Sequence, residues 1–593
     1  MLIVIDAVFF SVYTPEPYYN IFNKNEAELV LKQIEMKRRN VLKTLALLPL
    51  TGGAIPLNSI FASPVAGYKP PFNPLLPVEV TLESFLDKNN IYRTHGIEPI
   101  INCRGIFTII GGSLKRPQTK AAMEAASHNF AQMDEVADGI GQSLADLTGA
   151  EWGVVSSGCA AGLKLVTAAV VAGGDPEKLV RIPNLEGLEK TEVIVPITSR
   201  NAYDHSIRNI GVTMVNVSTL EELKNAINPK TALIYMVNGD RSWTGAPMSL
   251  ENISEIAKAK NVPVLFDAAN EVLTFPPVHL KRGASIVAYS GGKAICGPQS
   301  CGLILGQKDI LMAAWQASSP HHGPCRDNKV DRDEMFGMVA AVKAWKEMDH
   351  DAIHKQWYTY LDHIIKKVSG IKSVQTMIHV PSTLSGLSNV SPEVVITWDP
   401  DVLNITGAEM ADELAKNKPR IAVASGGGRG KDPNINGIAV TTIGMQAGEE
   451  KIAANRIFDV LTAKRNPKSN ELKAPIVNIS GTWDVDVKFY NGQGKHKLFI
   501  EQDGNWIKGT HQGGFAVNDM AGSIEGDRVK LQSSVQLIGD SIIYTFTGTV
   551  SGDKLSGEIF MGEYRSAKFT ATKNNKPASK KSIFVPSGAP LAS

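Results

Sequence analysis

The feature that most constrains the fold is an alternation of short apolar runs with amphipathic stretches between residues 92 and 345. The runs are four to six residues long and occupy 153–156, 192–196, 213–217, 232–237, 262–267, 285–289 and 302–305. Continuous runs of this length are typical of parallel strands buried on both faces, while the stretches between them have helical periodicity. The alternation therefore predicts an α/β domain at 91–345, built from βαβ units around one sheet.

The chain has 593 residues, which is too long for a single hydrophobic core, so three or four domains are expected. Residues 346–465 contain further apolar runs between helical stretches and predict a smaller α+β domain. A polar stretch at 466–475 follows this domain. Its composition indicates a linker.

Residues 476–575 differ in character from the preceding parts of the chain. Short alternating runs rich in Thr, Val, Ile, Gly and aromatic residues are separated by turn pairs such as Asp503-Gly504 and Ser551-Gly552. This pattern predicts a small antiparallel β-barrel or sandwich, and it resembles the lipocalin-like accessory domains of exported bacterial enzymes. The Lys-, Pro- and Ser-rich tail at 576–593 is expected to be disordered.

The run that begins at Met36 has the composition of an export signal. Three basic residues at 37–39 precede an apolar stretch at 45–50 that is too short to span a membrane. The pattern Arg-Arg-x-x-Leu-Lys at 38–43 resembles a twin-arginine signal.

This interpretation divides the first 90 residues into three parts. Residues 1–35 would be translated from upstream of the true start, 36–66 would be the signal, and 67–90 would be a linker. We therefore expect a mature periplasmic protein without a membrane span. The alternative is an amphipathic surface helix near Met36 in a cytoplasmic protein.

The overall charge and the cysteines exclude some classes of function. A formal net charge of +2 predicts no strong attraction to nucleic acid or to an anionic membrane. The five cysteines lack the spacing of metal ligands and are expected to be free thiols, so no metal site is predicted.

Two predicted strands end in residues suited to ligand binding. The run at 155–162 passes from strand to helix through Ser157, Gly158 and Cys159, and such a turn presents backbone N–H groups to an anion. Asp267 ends a second run, at the edge where an open α/β sheet binds its ligands. Taken alone, the first pattern is also that of an ordinary turn, and the second is also that of a helix cap.

A third segment leads from a strand into Ser290, two glycines and Lys293. Glycines allow the backbone to approach a ligand closely, and a lysine there can act as nucleophile, general base and general acid. Lys293 lies 26 residues after Asp267 (293 minus 267), which is about one βαβ step. An anion-binding turn, a strand-end aspartate and a Ser-Gly-Gly-Lys segment in this order are more specific together than separately.

These segments resemble the fold-type I enzymes that use pyridoxal 5′-phosphate (PLP), with the aspartate-aminotransferase-like fold. Within that group they are similar to the selenocysteine synthase (L-seryl-tRNA selenium transferase) family and its relative D-glucosaminate-6-phosphate ammonia lyase. The resemblance covers roughly 81–461. Besides the three segments, it rests on the runs at 100–105, 111–113, 147–151, 292–299 and 326–334.

The resemblance implies PLP as the cofactor and gives roles to single residues. Lys293 would form the imine with PLP, and Asp267 would contact the pyridine nitrogen. The other implied cofactor contacts are Ser157, Gly158, Cys159, His205, Asn270 and Ser290. The implied substrate contacts are Asn102, Arg326 and Lys329. A surface histidine at 205 and a solvated helix start at 326–329 are equally expected from the residues alone.

The sequence departs from selenocysteine synthases at 110–113, where they carry Asn-Leu-Gly-Arg, and an export signal stands where they have a tRNA-binding domain. We therefore expect an enzyme acting on a small amino acid or amino-sugar acid, with α-proton removal by Lys293 and then β-elimination or β-replacement. A homodimer or larger homo-oligomer is implied by the resemblance. The alternatives are an aminotransferase or cysteine desulfurase, and a non-catalytic protein that binds a ligand through its 476–575 domain.

Overall fold

The computed structural model describes four stretches of the chain, residues 79–426, 435–467, 471–537 and 539–574. The expected upstream segment at 1–35, the signal at 36–66 and the tail at 576–593 lie outside the described residues. The first half of the linker expected at 67–90, residues 67–78, also lies outside them.

The first described elements pack with a domain that comes later in the chain. They are α1 (Leu82–Phe85), α2 (Ile91–Thr94) and β1 (Ile100–Asn102). β1 pairs in parallel with Arg420–Ala422, and Ile101 and Cys103 are fully buried in the core of the smaller domain. The chain therefore contributes a strand to the smaller domain before it enters the large sheet.

In the described residues, seven strands form the large sheet. They are β2 (Trp152–Ser156), β3 (Glu192–Pro196), β4 (Thr213–Val217), β5 (Thr231–Val237), β6 (Val264–Asp267), β7 (Ile286–Ser290) and β8 (Gly302–Gly306). Their order is β2-β8-β7-β6-β5-β3-β4. All seven lie within two residues of the predicted runs. The parallel direction expected for 302–305 is wrong, because β8 runs antiparallel to both neighbours and a doubly buried strand shows the same apolar run in either direction.

Helices cover both faces of this sheet. They are α3 (Pro117–Ser127), α4 (Met133–Thr148), α5 (Cys159–Ala172), α6 (Pro176–Leu179), α7 (His205–Arg208), α8 (Leu220–Ala226), α9 (Leu250–Ala259), α10 (Val278–Lys281), α11 (Lys308–Ala317) and α12 (Arg332–Glu347). α4, α9 and α12 form one core with the sheet, and α5 and α11 form the second. In β6, Val264 and Phe266 face the first core and Leu265 the second, as the alternation of strand side chains requires.

The smaller domain is of the α+β type, as predicted. Its elements are α13 (His350–Val368), β9 (Gln375–His379), β10 (Glu393–Thr397), α14 (Pro400–Leu403), α15 (Gly407–Lys416), β11 (Arg420–Ala422), β12 (Ala424–Ser425), β13 (Gly437–Thr441) and α16 (Glu449–Thr462). The antiparallel sheet has the order β12-β13-β10-β9, and β11 pairs with β1. Apolar side chains of α13, α15 and α16 pack against β10 and β13 to form its core.

The last domain is a closed antiparallel barrel of eight strands. They are β14 (Gly481–Phe489), β15 (Gly492–Asp503), β16 (Trp506–Gln512), β17 (Val517–Glu525), β18 (Arg528–Leu537), β19 (Asp540–Ser551), β20 (Lys554–Phe560) and β21 (Ser566–Asn574). β21 pairs with β14 and closes the barrel. Alternate residues such as Trp483, Val485 and Val487 point into the barrel core. Of the two predicted architectures, the structure therefore adopts the barrel.

Short 3₁₀ turns complete the described elements. They are Thr108–Ile110, Ile197–Ser199, Ala202–Asp204, Asp240–Ser242 and Gly562–Tyr564. The second and third follow β3, and the fourth follows β5, so they lie at the carboxyl edge of the large sheet. Among the described residues, each helix is too short or too polar to cross a lipid bilayer.

Candidate active site

The three predicted segments meet at the carboxyl edge of the large sheet. Asp267 ends β6, Lys293 follows β7, and Cys159 begins α5 shortly after β2. The Cys159 Sγ lies 3.7 Å from Asp267 Oδ1. The positive charge of Lys293 opposes the rise in pKa that burial produces in both Asp267 and Cys159. The charge of Lys293 therefore acts on both groups, and this effect weakens with distance.

The turn that leads from β2 into α5, residues 157–159, is called the α5 turn. Its shape presents backbone N–H groups. Gly158 adopts a φ of 89° at the N-cap of α5, where no described side chain caps the first turn. Ser156 Oγ donates a hydrogen bond of 2.8 Å to the Gly158 carbonyl. β8 packs so closely that a Cβ on Gly302 would lie 2.5 Å from the Gly158 carbonyl carbon. The positive end of α5 and the backbone at 157–159 therefore suit an anion such as a phosphate.

Asp267 is only 3% exposed, and its carboxylate accepts three hydrogen bonds. Oδ2 accepts from the Tyr235 hydroxyl at 3.0 Å. Oδ1 accepts from the Ala269 N–H at 2.9 Å and from the Cys159 thiol. Burial raises the pKa of Asp267, and the Ala269, Tyr235, Lys293 and Cys159 groups oppose that rise. The result is a buried acceptor whose orientation is fixed at both oxygens.

Sequence reasoning missed Tyr235, which lies in the middle of β5 and is fully buried. Its hydroxyl donates to Asp267 and accepts a hydrogen bond of 2.9 Å from Asn201 Nδ2. Burial and the charge of Asp267 raise the pKa of Tyr235, so the hydroxyl stays a neutral donor. A hydroxyl-bearing aromatic residue in an apolar buried strand is the signal that could have identified it.

The loop between β7 and β8, residues 291–301, carries Lys293 and is called the lysine loop. An earlier segment of the chain forms hydrogen bonds with it. The Ser113 N–H and Oγ both donate to the Gly292 carbonyl, at 3.2 and 2.8 Å. A Cβ on Gly292 would lie 2.4 Å from Gln299 Oε1, and one on Gly112 would lie 2.0 Å from the same atom. The glycines therefore allow this close packing beside Lys293.

The residue after Lys293 is held at both of its backbone groups. Asn389 Oδ1 accepts from the Ala294 N–H at 3.3 Å, and Arg116 Nη2 donates to the Ala294 carbonyl at 3.2 Å. The Asn389 N–H also donates to the Asn270 carbonyl at 3.0 Å. Asn389 therefore joins the lysine loop to the turn that follows β6. The sequence offered no signal for this role.

Three buried polar atoms beside the lysine loop have no hydrogen-bond partner among the described residues. They are Arg116 Nε, Gln299 Oε1 and Asn389 Nδ2. Buried polar atoms are normally paired, so unpaired ones indicate a site for a polar ligand. PLP fits the groups present, because the α5 turn suits its phosphate, Asp267 its pyridine nitrogen and Lys293 its aldehyde.

The remaining predicted cofactor residues differ in solvent exposure. Ser290 ends β7 and is half-buried, like Asn270. His205 begins α7 and is exposed. The loop before it is fixed by Asp204, whose buried carboxylate lies 2.5 Å from Arg200 Nε and 2.9 Å from Arg208 Nε. Stacking of His205 on a cofactor ring stays a prediction.

For the predicted substrate residues, the structure shows local hydrogen bonds and solvent exposure. The Asn102 side chain closes its own turn, because Nδ2 donates to the Gly105 carbonyl at 2.9 Å and Oδ1 accepts from the Gly105 N–H at 3.1 Å. Arg326 is exposed and donates to Ser319 Oγ at 2.8 Å, and Lys329 is also exposed. Their contact with a substrate stays a prediction.

Residues 118–393 match the family model described as Aminotransferase class-V. The chain contains a class-V aminotransferase domain. This match includes the large sheet, Asp267, Lys293 and Asn389, whereas the barrel lies outside it. Members of the family are fold-type I enzymes that use PLP, so the predicted fold and cofactor are confirmed.

Curated proteins similar to this chain are lyases and transferases. D-glucosaminate-6-phosphate ammonia lyase from Salmonella typhimurium is 29% identical over 44% of this chain and 70% of its own length. The 5′-C-glycyluridine monooxygenase-decarboxylase from Streptomyces sp is 26% identical over 56% and 83%, respectively. The L-seryl-tRNA(Sec) selenium transferase from Proteus mirabilis is 25% identical over 45% and 60%. The predicted resemblance to the ammonia lyase and to the selenium transferase family is confirmed.

A solved structure of D-glucosaminate-6-phosphate ammonia-lyase shares the fold. It superposes with a TM-score of 0.56 at 24% sequence identity, and the match covers 63% of this chain and 99% of that chain. The likeness shows that the two proteins share a fold over this part of the chain.

Proposed function

We propose that this PLP-dependent enzyme removes or replaces the β-substituent of a small amino acid or amino-sugar acid. The observation that carries the proposal is the convergence of Lys293, the buried Asp267 and the α5 turn in one site. The similarity to an ammonia lyase and to selenium transferases supports this reaction class.

Asp267 would hold a proton at the pyridine nitrogen of the cofactor. PLP, once bound in the site, would supply an electron sink for the substrate α-carbon. An ionised carboxylate at Asp267 would accept a hydrogen bond from the protonated ring nitrogen and keep that sink strong. The Tyr235 hydroxyl and the Ala269 N–H hold this carboxylate in place and oppose its protonation.

Lys293 would act first as the attachment point and then as the acid–base group. With a substrate bound, the amino group of Lys293 would lie beside the α-carbon and act there as a base. It would remove the α-proton and then give a proton to the departing β-substituent. Ser113, Arg116 and Asn389 brace the lysine loop, which keeps this amino group within reach of both atoms. Elimination and replacement share these steps.

Two alternatives to the proposed reaction, cysteine desulfuration and a non-catalytic role, have less support. Cysteine desulfuration needs a mobile thiol, but four of the five cysteines are buried and Cys296 is half-buried. Burial raises the pKa of Cys301 and Cys325 to about 12, so neither is a ready thiolate. A non-catalytic protein would have no need for a lysine whose charge acts on the buried Asp267 beside an anion-binding turn.

Two further proposals concern the oligomeric state and the cellular location of the protein. We propose a homodimer or larger homo-oligomer, supported by the exposure of His205, Arg326 and Lys329, since fold-type I enzymes usually build their sites from two subunits. Export to the periplasm is supported by the twin-arginine pattern at 38–43. No nucleic-acid partner is proposed, in keeping with the net charge of +2.

The variant Lys293→Ala tests the assignment of the attachment lysine. The protein incubated with PLP and freed of excess should show a visible absorption band, and the variant should lack it because it has lost the amino group proposed to bind the cofactor aldehyde. Lys508→Ala removes an exposed barrel lysine that pairs with Glu501 and should leave the band unchanged. A full band in Lys293→Ala would refute the assignment.

The reaction class is tested by assaying the release of ammonia and of a keto acid. D-glucosaminate 6-phosphate and L-serine are the first substrates to try, as an amino-sugar acid and a small amino acid. Ammonia formed together with a keto acid identifies elimination. If only the amino group moves to an added keto acid, the enzyme is an aminotransferase and the proposed reaction is wrong.

A further inference from the structure

Asn389 is a buried amide with one hydrogen-bond donor unpaired. The residue is 3% exposed, and it is not among the residues singled out by the sequence. Its Oδ1 accepts from the Ala294 N–H, and its backbone N–H donates to the Asn270 carbonyl. Its Nδ2 is buried without a partner among the described residues. Such an atom costs free energy unless a ligand accepts its hydrogen bond.

The contact with Ala294 determines which amide atom faces the lysine loop. The Ala294 N–H is a donor, so the atom 3.3 Å away must be an acceptor, which the amide oxygen is and the NH₂ group is not. A rotation that exchanged the two atoms would lose this hydrogen bond. The unpaired NH₂ group is therefore held next to the loop of Lys293.

The segment that carries Asn389 is fixed to the large domain at more than one point. It connects β9 to β10 of the smaller domain and crosses the carboxyl edge of the large sheet. The Leu384 N–H donates to Asp240 Oδ1 at 3.0 Å, and the Val272 N–H donates to the Leu387 carbonyl at 2.7 Å. Asn389 is thus positioned by backbone contacts on both sides of the site, as a substrate-positioning residue must be.

We propose that Asn389 Nδ2 donates a hydrogen bond to the α-carboxylate of the substrate. This inference rests on the proposed function, in which the α-carbon lies beside the amino group of Lys293. A carboxylate attached to that carbon is an acceptor within the same small region, and it would satisfy the buried NH₂ group. The α5 turn and Asp267 account for the phosphate and the pyridine nitrogen of PLP. Of the acceptors that remain, the ring 3-oxygen of PLP and the substrate carboxylate, we assign this donor to the charged carboxylate.

Two small amines test this carboxylate subsite without turnover. Aminooxyacetate and methoxyamine both react with the cofactor carbon and discharge the visible band, but only aminooxyacetate carries a carboxylate. The ratio of their two rate constants therefore reports recognition of the carboxylate. The PLP-loaded wild-type protein should favour aminooxyacetate.

Asn389→Asp keeps an oxygen for the Ala294 N–H and replaces the NH₂ donor by a negative oxygen. We expect it to lower the rate ratio by about tenfold or more, since a donor to a charged group is lost and repulsion is added. Asn389→Ala should change the ratio in the same direction and serves if the aspartate variant does not fold. Asn518→Asp is the matched control, because its Nδ2 is also buried and unpaired in the described residues but belongs to the barrel.

The outcomes separate this inference from the proposed function. An unchanged ratio in both Asn389 variants, with the visible band present, overturns the subsite and leaves the proposed function standing. A large loss of PLP affinity with an unchanged ratio would assign the amide to the cofactor instead, and it also overturns the subsite. A wild-type protein that shows no band with PLP overturns both.

Discussion

At the scale of single residues, the surroundings of Asp267 explain how a buried carboxylate can serve a cofactor. Burial alone disfavours the charged form, which would leave a protonated acid unsuited to accept from a pyridine N–H. The Tyr235 hydroxyl, the Ala269 N–H and the Cys159 thiol are neutral donors, so they favour the carboxylate without adding a competing charge. Lys293 supplies a positive charge nearby.

Tyr235→Phe should move the acidic limb of the pH profile of kcat/KM to higher pH. The Tyr235 hydroxyl lowers the pKa of Asp267, so its removal raises that pKa further, and the active ionised form then requires a higher pH. At acidic pH we expect a loss of roughly tenfold, the worth of one hydrogen bond to a charged group. Tyr544→Phe, in the barrel, is the control. An unshifted limb would mean that Tyr235 does not support Asp267.

Asp267 ends an apolar run, and Lys293 follows another within a few residues. Both could therefore be predicted from local patterns in the sequence. Tyr235 and Asn389 could not. Tyr235 matters through a contact with a residue 32 positions away on a neighbouring strand, and Asn389 through one 95 positions away. Such partners depend on strand register and on how the smaller domain folds back, which no local pattern specifies.

At the scale of elements, strand positions followed from the sequence, but strand direction did not. β8 is antiparallel to β2 and β7, yet its apolar run is like those of the strands that pair in parallel elsewhere in the sheet. The same strand carries Gly302, where a side chain would strike the backbone of Gly158 and Cys159. β8 and the α5 turn therefore fit together only with a glycine at this position.

Gly302→Ala should weaken both folding and PLP binding. An added Cβ would lie 2.5 Å from the Gly158 carbonyl carbon and 2.6 Å from the Cys159 nitrogen, so the α5 turn must shift. Overpacking of this kind costs about 1–3 kcal/mol, measurable by denaturant unfolding, and PLP titration should show weaker binding.

The matched control is Gly139→Ala on the exposed face of α4. A Cβ there meets nothing within 4 Å, and alanine favours a helix over glycine by about 0.5–1 kcal/mol. This variant should therefore be slightly stabilised and bind PLP normally. Equal stability and PLP affinity in Gly302→Ala and wild type would show that the α5 turn tolerates movement.

At the scale of the whole molecule, the barrel contacts the catalytic domain next to the Asp267 network. Gly539 lies in the hairpin between β18 and β19 with a φ of 80°, and a Cβ on it would lie 2.3 Å from the Asn201 carbonyl carbon. Asn201 in turn donates to Tyr235. The hairpin therefore packs against the backbone of a residue that supports the cofactor site.

Gly539→Ala should loosen the barrel from the catalytic domain. The added Cβ would meet Asn201 backbone atoms at 2.3, 2.4 and 2.8 Å, and backbone cannot move aside cheaply. We expect faster cleavage by trypsin between the two domains, near 466–475, followed on gels. Gly552→Ala has a similar left-handed φ of 57° but no neighbour within 4 Å, so it controls for backbone strain. Equal cleavage of both variants would contradict the contact.

Covalent trapping of the cofactor would establish whether Lys293 binds PLP. The full-length protein is loaded with PLP, reduced with borohydride, digested and analysed by mass spectrometry. We expect the visible band to disappear on reduction and the phosphopyridoxyl mass to be found on the peptide containing Lys293. If the protein takes up no PLP, or is labelled at another lysine with Lys293 unmodified, Lys293 is not the attachment residue.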